Sequence, residues 1–200
     1  MDKDLDRILR FMVEIGKLKS VKRTGWVENK ISDPEHVADH SFSTAVMSYI
    51  MAKRFGLDAG KCVAMALIHD INEVITGDIA TKENEKDQRI STAAKHKIES
   101  TNMRKMLSYL PKPQRGEWSM LWVELTEQKT PEAKLVKQID SLDYIIQLVH
   151  YSKKFKNKGE IASFFNTAKK RISDRDLLSI YEKVGARVKP YTAVSRGRHA

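Results

Sequence analysis

Cysteine is almost missing from this chain of 200 residues: Cys62 stands alone, which excludes an intrachain disulfide as a staple of the fold. Its place in the apolar stretch KCVAMALI marks a small buried side chain rather than a reactive thiol. No run approaches the roughly 20 apolar residues that a membrane helix needs, so no membrane span is expected. Internal repeats and low-complexity segments are lacking as well, which sets aside solenoids and compositionally biased tracts.

What is present suits one domain with a substantial core: 41% of the residues are hydrophobic. That domain is expected over residues 1–190, with a flexible basic tail at 191–200. The opening MDKDLDRILRFMVEIGKL reads as an amphipathic helix with acids at its start, unlike a signal peptide, and a cytoplasmic location is the expectation. The stretch SDPEHVADHSFSTAVMSYIMAKRF begins with a cap-like Ser32 or Asp33 and places Pro34 in a first helical turn, so that His40 falls about two turns in. LDAGKCVAMALIHDINEVITGD offers Asp58 as a cap and an apolar run that ends on His69 and Asp70. TPEAKLVKQIDSLDYIIQLVHY has Thr130 as cap, Pro131 at the first helical position and apolar residues at helical spacing, with Asp140 beside the stripe. Further helices are expected over 90–110, 114–127, 160–171 and 173–187, and a polar loop over 79–89. The fold class is therefore all-α, a single bundle of about seven to eight helices.

The chemistry lies in four residues inside these apolar helices: His40, the adjacent pair His69 and Asp70, and Asp140. A His-Asp pair is weak by itself, but a carboxylate buried without a partner is strongly unfavourable, and a bound cation removes that cost. Two neutral imidazoles and two carboxylates form a mixed nitrogen and oxygen set suited to Mn, Co, Fe or Zn, with positions left for water and substrate. Glu73 follows Asp70 by three residues, so it lies close by if the helix continues, where its carboxylate can take a proton from water. A surface acid near a helix end is the competing reading.

The order His, His-Asp, Asp, with HDINEVITGDIATK after the pair and AKLVKQID before the last Asp, resembles the HD-domain metal-dependent phosphohydrolases. More narrowly, KLKSVKRTGWVENKISDPEHVADHSFSTAVMSYIMA, ALIHDINEVITGDIA and AKLVKQID together resemble the small 5'-deoxynucleotidases of that superfamily. The resemblance implies a divalent metal ion (Mn, Co, Mg, Zn, Ni or Fe) held by His40, His69, Asp70 and Asp140. It implies that Glu73 orients or deprotonates the attacking water. Asp78 would contact the sugar or the hydrogen-bond network of the site, while Arg23 and Trp26 would handle phosphate and discriminate the sugar. A nucleoside 5'-monophosphate substrate and a homodimer are implied too. His36 stands where a small polar residue is usual in that family, and its i, i+4 spacing to His40 makes it a further candidate for reaching the site, against the reading of a first-turn surface histidine.

The formal net charge of +10 raises a nucleic-acid reading. Its sources are scattered, however, among Lys17, Lys19, Lys22 and Arg23, the KKFKNK and KKR runs, and the tail. With no recognition helix, zinc-finger spacing or aromatic-rich basic strand, most of these charges read as solvated faces, and part of their field draws anionic nucleotides. Two alternatives stand beside the deoxynucleotidase reading. One is another nucleotide phosphohydrolase acting on a cyclic nucleotide, alarmone or triphosphate; the other is a basic, metal-stabilised binding protein without turnover.

Overall fold

The structure is a computed structural model and describes residues 2–80, 82, 88 and 90–188. Among the described residues, eight helices of ten residues or more carry the fold: α1 (Lys3–Gly16), α3 (Val37–Phe55), α4 (Ala59–Ile68), α6 (Thr92–Leu107), α7 (Lys112–Glu127), α8 (Pro131–Tyr151), α9 (Lys158–Lys169) and α10 (Arg175–Arg187). Two short helices, α2 (Thr24–Glu28) and α5 (Glu73–Thr76), bring polar residues to the site. Among the described residues, extended pairing amounts to an antiparallel bridge between Lys22 and His36. The expected all-α bundle is the observed one. The basic tail expected at 191–200 lies outside the described residues, as does most of the loop expected over 79–89.

Helix α8 is the axis. Thr130 Oγ accepts the Ala133 N–H at 3.3 Å and Pro131 occupies the first helical turn, so its start is fixed by both expected signals. Buried residues on nearly every side of α8, among them Leu135, Val136, Ile139, Leu142, Ile145 and Leu148, show that it is surrounded. It packs on α3, α4, α7, α9 and α10. A second, smaller core joins Phe11 of α1 and Leu18 to Met103, Met106 and Leu107 of α6. Helix α7 ties the two cores together, since Trp118 and Trp122 pack on the smaller and Leu121 and Leu125 on the larger.

Several boundaries differ from the sequence reading for local reasons. Helix α3 begins at Val37 rather than near Pro34, because the bridge to Lys22 holds His36 in extended backbone. Asp39 then accepts the His36 backbone N–H at 2.8 Å, which satisfies one donor at that end. His40 consequently sits in the first turns of α3 and not two turns in. The chain leaves helix α4 at His69, turns through Asp70 to Asn72, and restarts as α5 at Glu73. Exposed apolar stripes run along α3, at Phe42, Val46, Tyr49 and Ile50, and along α1, at Leu5, Leu9, Met12 and Val13.

Candidate metal centre and active-site cavity

Three backbone devices bring the polar residues together. His40 projects from the start of α3, His69 ends α4 and Asp70 follows in the turn, and Asp140 lies midway along α8. Two bonds beside the bridge, Val37 N–H to Val21 O at 2.8 Å and Arg23 N–H to Glu35 O at 3.0 Å, place Arg23 next to the start of α3. Gly77 ends α5 with φ 73° and ψ 172°, a conformation that side-chain-bearing residues avoid, and the chain thereby returns Asp78 to Thr24. Asp78 Oδ2 accepts the Thr24 backbone N–H at 2.6 Å, and the Thr24 hydroxyl donates to the Asp78 carbonyl at 2.6 Å.

The four sequence-selected ligand candidates meet at one point. His40 Nε2 is 3.2 Å from His69 Nε2 and 3.2 Å from Asp140 Oδ1, and Asp70 Oδ2 is 3.0 Å from His69 Nε2 and 3.8 Å from His40 Nε2. Asp140 Oδ1 reaches His69 Nε2 at 3.9 Å. Bonds of about 2.1 Å to one shared ion separate adjacent ligand atoms by roughly 3 Å and opposite ones by roughly 4.2 Å, a range that holds the spacings among His40, His69 and Asp70 and those from Asp140 to the two histidines.

The outer partners of the two imidazoles strengthen that fit. His69 Nδ1 donates to the Ala66 carbonyl at 2.6 Å, which leaves Nε2 as the lone-pair nitrogen. His40 Nδ1 faces Asp143 Oδ2 at 2.5 Å, and Ser43 Oγ donates to Asp143 Oδ1 at 2.5 Å. With both Nδ1 protons spoken for, two Nε2 lone pairs point at each other, which is repulsive unless a proton or a metal ion lies between them. Burial and Arg23 both push the His40 pKa down, but Asp140 and Asp143 outweigh them and raise it to about 9. The carboxyls of Asp70 and Asp140 are held below the usual carboxylate range: burial opposes this, but His69 and Arg23 act on Asp70, and Lys137 with the two histidines on Asp140.

Two cations flank this cluster. Arg23 lies 3.5 Å from Asp70 Oδ2 and 3.3 Å from Asp78 Oδ1, and Lys137 Nζ lies 3.4 Å from Asp140 Oδ2. Glu73 is 5% exposed and its Oε2 has no hydrogen-bond partner. Burial first, then the charges of Asp70 and Asp78, push its carboxyl well above the ordinary range.

Arg23, Asp70, Glu73, Asp78, Lys137 and Asp140 line a cavity of about 590 Å³, within the roughly 300–1,000 Å³ typical of small-molecule sites. Ile79, Ala80, Lys82 and Gln88 from the expected loop also reach it. Trp26 lines it but is 1% exposed, its indole N–H donating to Glu35 Oε1 at 2.7 Å. His36 is not brought to the cluster; it caps α3 and lines a separate small pocket with Asp33, Glu35 and Asp39.

Asp143, Lys137 and Tyr144 escaped the sequence reading. Asp143 carried a usable signal, a second carboxylate one turn beyond Asp140 in an apolar helix, and it is 4% exposed.

Residues 15–179 match the family model described as "HD domain". The chain is 33% identical over 177 residues to the 5'-deoxynucleotidase HDDC2 of Xenopus laevis, covering 88% of this chain and 85% of that protein. It is 34% identical over 179 residues to the 5'-deoxynucleotidase HDDC2 of Homo sapiens, covering 90% and 85%. Among solved structures, a conserved hypothetical protein from Pyrococcus furiosus superposes with a TM-score of 0.69 at 29% identity, covering 88% of this chain and 98% of that one.

Proposed function

The chain belongs to the HD domain family, and on that premise we propose that it hydrolyses deoxyribonucleoside 5'-monophosphates to deoxynucleosides and phosphate. The observation that carries the reading is the pair of inward-facing imidazole Nε2 atoms with the oxygens of Asp70 and Asp140, set 3.0 to 3.9 Å from them inside the cavity. His40, His69, Asp70 and Asp140 would hold a divalent cation. Bound there, it would neutralise phosphoryl oxygens and lower the pKa of a water.

The chain's own residues supply the rest. Arg23 is planar and stays charged beside Asp70 and Asp78, so it grips non-bridging phosphoryl oxygens in a fixed orientation. Lys137 balances the opposite side of the cluster. Glu73, with one carboxylate oxygen unpaired, orients the attacking water and takes its proton. Asp78 fixes Arg23 and Thr24, and it sets the polar network against which the sugar lies. Trp26 shapes the same wall from behind. One unit over residues 1–190 would carry all of this, working on a cytoplasmic nucleotide pool.

The α3 stripe of Phe42, Val46, Tyr49 and Ile50 repeats at helical spacing and is the face we assign to pairing with a second copy, a point that light scattering after size exclusion checks.

The activity is tested by stripping the protein of metal, reloading it with Mn, Co, Mg, Zn or Ni, and measuring phosphate release. The panel comprises dAMP, AMP, dATP and a cyclic dinucleotide. Monophosphates should be the fastest substrates, with dAMP ahead of AMP by order 10²-fold, since crowding of a 2'-hydroxyl or an unpaired polar group can discriminate that strongly. Faster turnover of dATP or the cyclic dinucleotide than of both monophosphates would overturn the assignment.

A further inference from the structure

Beyond the carboxylate cluster the cavity wall changes character. Ser141 follows Asp140 directly on α8 and Tyr144 comes one turn later, and all three residues line the cavity. One turn is an axial step of about 5.4 Å, which takes the wall away from the phosphate-binding end by the length of a small ring. Two hydroxyls on this wall, Ser141 Oγ and Tyr144 Oη, lie within reach of each other and have no further hydrogen-bond partner among the described residues. Ser141 is 1% exposed as a residue. One hydroxyl proton of such a pair stays unused, and a ligand that enters the cavity can accept it.

Phe164 of α9 closes the same wall. Its ring stacks on Trp26, with centroids 4.8 Å apart and planes 8° from parallel, and meets Tyr144 edge-on at 6.0 Å. Trp26 is nearly inaccessible and its N–H is engaged, whereas Phe164 is half-buried, so Phe164 is the ring that a ligand meets. A Cβ at position 25 would come within 3.3 Å of the Phe164 ring, so the glycine in KRTGW leaves the ring its place. Ser163 and Thr167 of α9 line the cavity beside it and offer polar atoms to the edge of a base.

Resting on the nucleotide-hydrolase reading above, we propose that this wall is the nucleoside-binding end of the cavity. Ser141 and Tyr144 hydrogen-bond the pentose, and Phe164 covers the base. The consequence is a split in recognition: the cluster holds the phosphate, and α8 and α9 select what is attached to it.

Tyr144→Phe and Phe164→Leu test this by steady-state kinetics on dAMP and on 2-deoxyribose 5-phosphate, which has the sugar and no base. Calorimetric binding of deoxyadenosine to the metal-loaded protein accompanies them. Phe164→Leu should raise KM for dAMP roughly 5- to 100-fold, the range for a lost base-stacking contact, and leave KM for the base-free ester unchanged. Tyr144→Phe should raise KM about fivefold on both esters, as expected for one hydrogen bond. Equal KM increases on both esters in Phe164→Leu, or unchanged KM for dAMP there, would overturn the base assignment; unchanged KM on both esters in Tyr144→Phe would overturn the sugar assignment. If the wild type binds deoxyadenosine through Phe164 yet releases no phosphate from any monophosphate, the hydrolase reading fails and the nucleoside wall stands. Intact hydrolysis with deoxyadenosine binding indifferent to both substitutions gives the reverse.

Discussion

Glu73 and Asp143 are both buried carboxylates near the cluster, and their partners separate their tasks. Asp143 has one oxygen on His40 Nδ1 and the other on Ser43 Oγ and does not line the cavity, so it orients an imidazole. Glu73 leaves Oε2 unpaired. Asp143→Asn should therefore weaken metal retention, by roughly 10- to 100-fold as for other partners of ligating histidines, because an amide is a poorer acceptor for the Nδ1 proton. Glu73→Ala should keep the metal and cut turnover by roughly 10²- to 10⁴-fold. Metal content after dialysis and single-substrate kinetics distinguish the two variants; a Glu73→Ala protein with wild-type turnover removes Glu73 from the mechanism. Sequence spacing alone could place Glu73 near Asp70 only by assuming a continuous helix. The chain instead breaks at His69, and the link is kept by the Glu73 N–H donating to the Asp70 carbonyl at 3.0 Å.

At the scale of elements, the legible parts were those with strong local chemistry. Asp58 was readable as a cap and accepts the Lys61 N–H at 2.9 Å; Thr130 with Pro131 was readable in the same way. The start of α3 was not, since an interaction between Lys22 and His36, remote in sequence, overrides the helix signal of Pro34. Nor could periodicity show that Trp26 would lie behind Phe164, because that pairing joins segments far apart in the chain. The cluster of His40, His69, Asp70 and Asp140 was visible because charged residues in apolar helices need a reason, whereas Tyr144 and Phe164 look like ordinary core residues until a cavity is seen beside them. Because α8 carries Asp140, Asp143 and Tyr144, its start matters beyond its own turn. Thr130 Oγ also donates to Glu124 at the end of α7, so Thr130→Ala removes a cap and an interhelical bond together. A loss of about 1–2 kcal/mol is expected in urea unfolding with unchanged metal content, and Thr130→Ser should recover most of it.

For the whole molecule, metal binding at this cluster is expected to be coupled to folding, because residues from positions 40 to 140 come together only when α3, α4 and α8 are packed. The imidazole of His40 gives that coupling a pH signature. In the metal-free protein its pKa is raised from 6.5 to about 9, so its contribution to stability is fully present below about pH 6.5 and is lost as pH rises through about 9. A metal ion competes with that proton for Nε2 and is favoured as the proton leaves, by about tenfold in affinity per pH unit while one proton is displaced. Chelation should lower the melting temperature at every pH in this range, and the gap between metal-loaded and metal-free protein should widen from pH 6.5 to pH 9. Scanning calorimetry with and without EDTA measures it directly. A gap that stays constant over that interval would mean that His40 is not where proton and metal compete, and an unchanged melting temperature after confirmed metal loss would uncouple the centre from the fold.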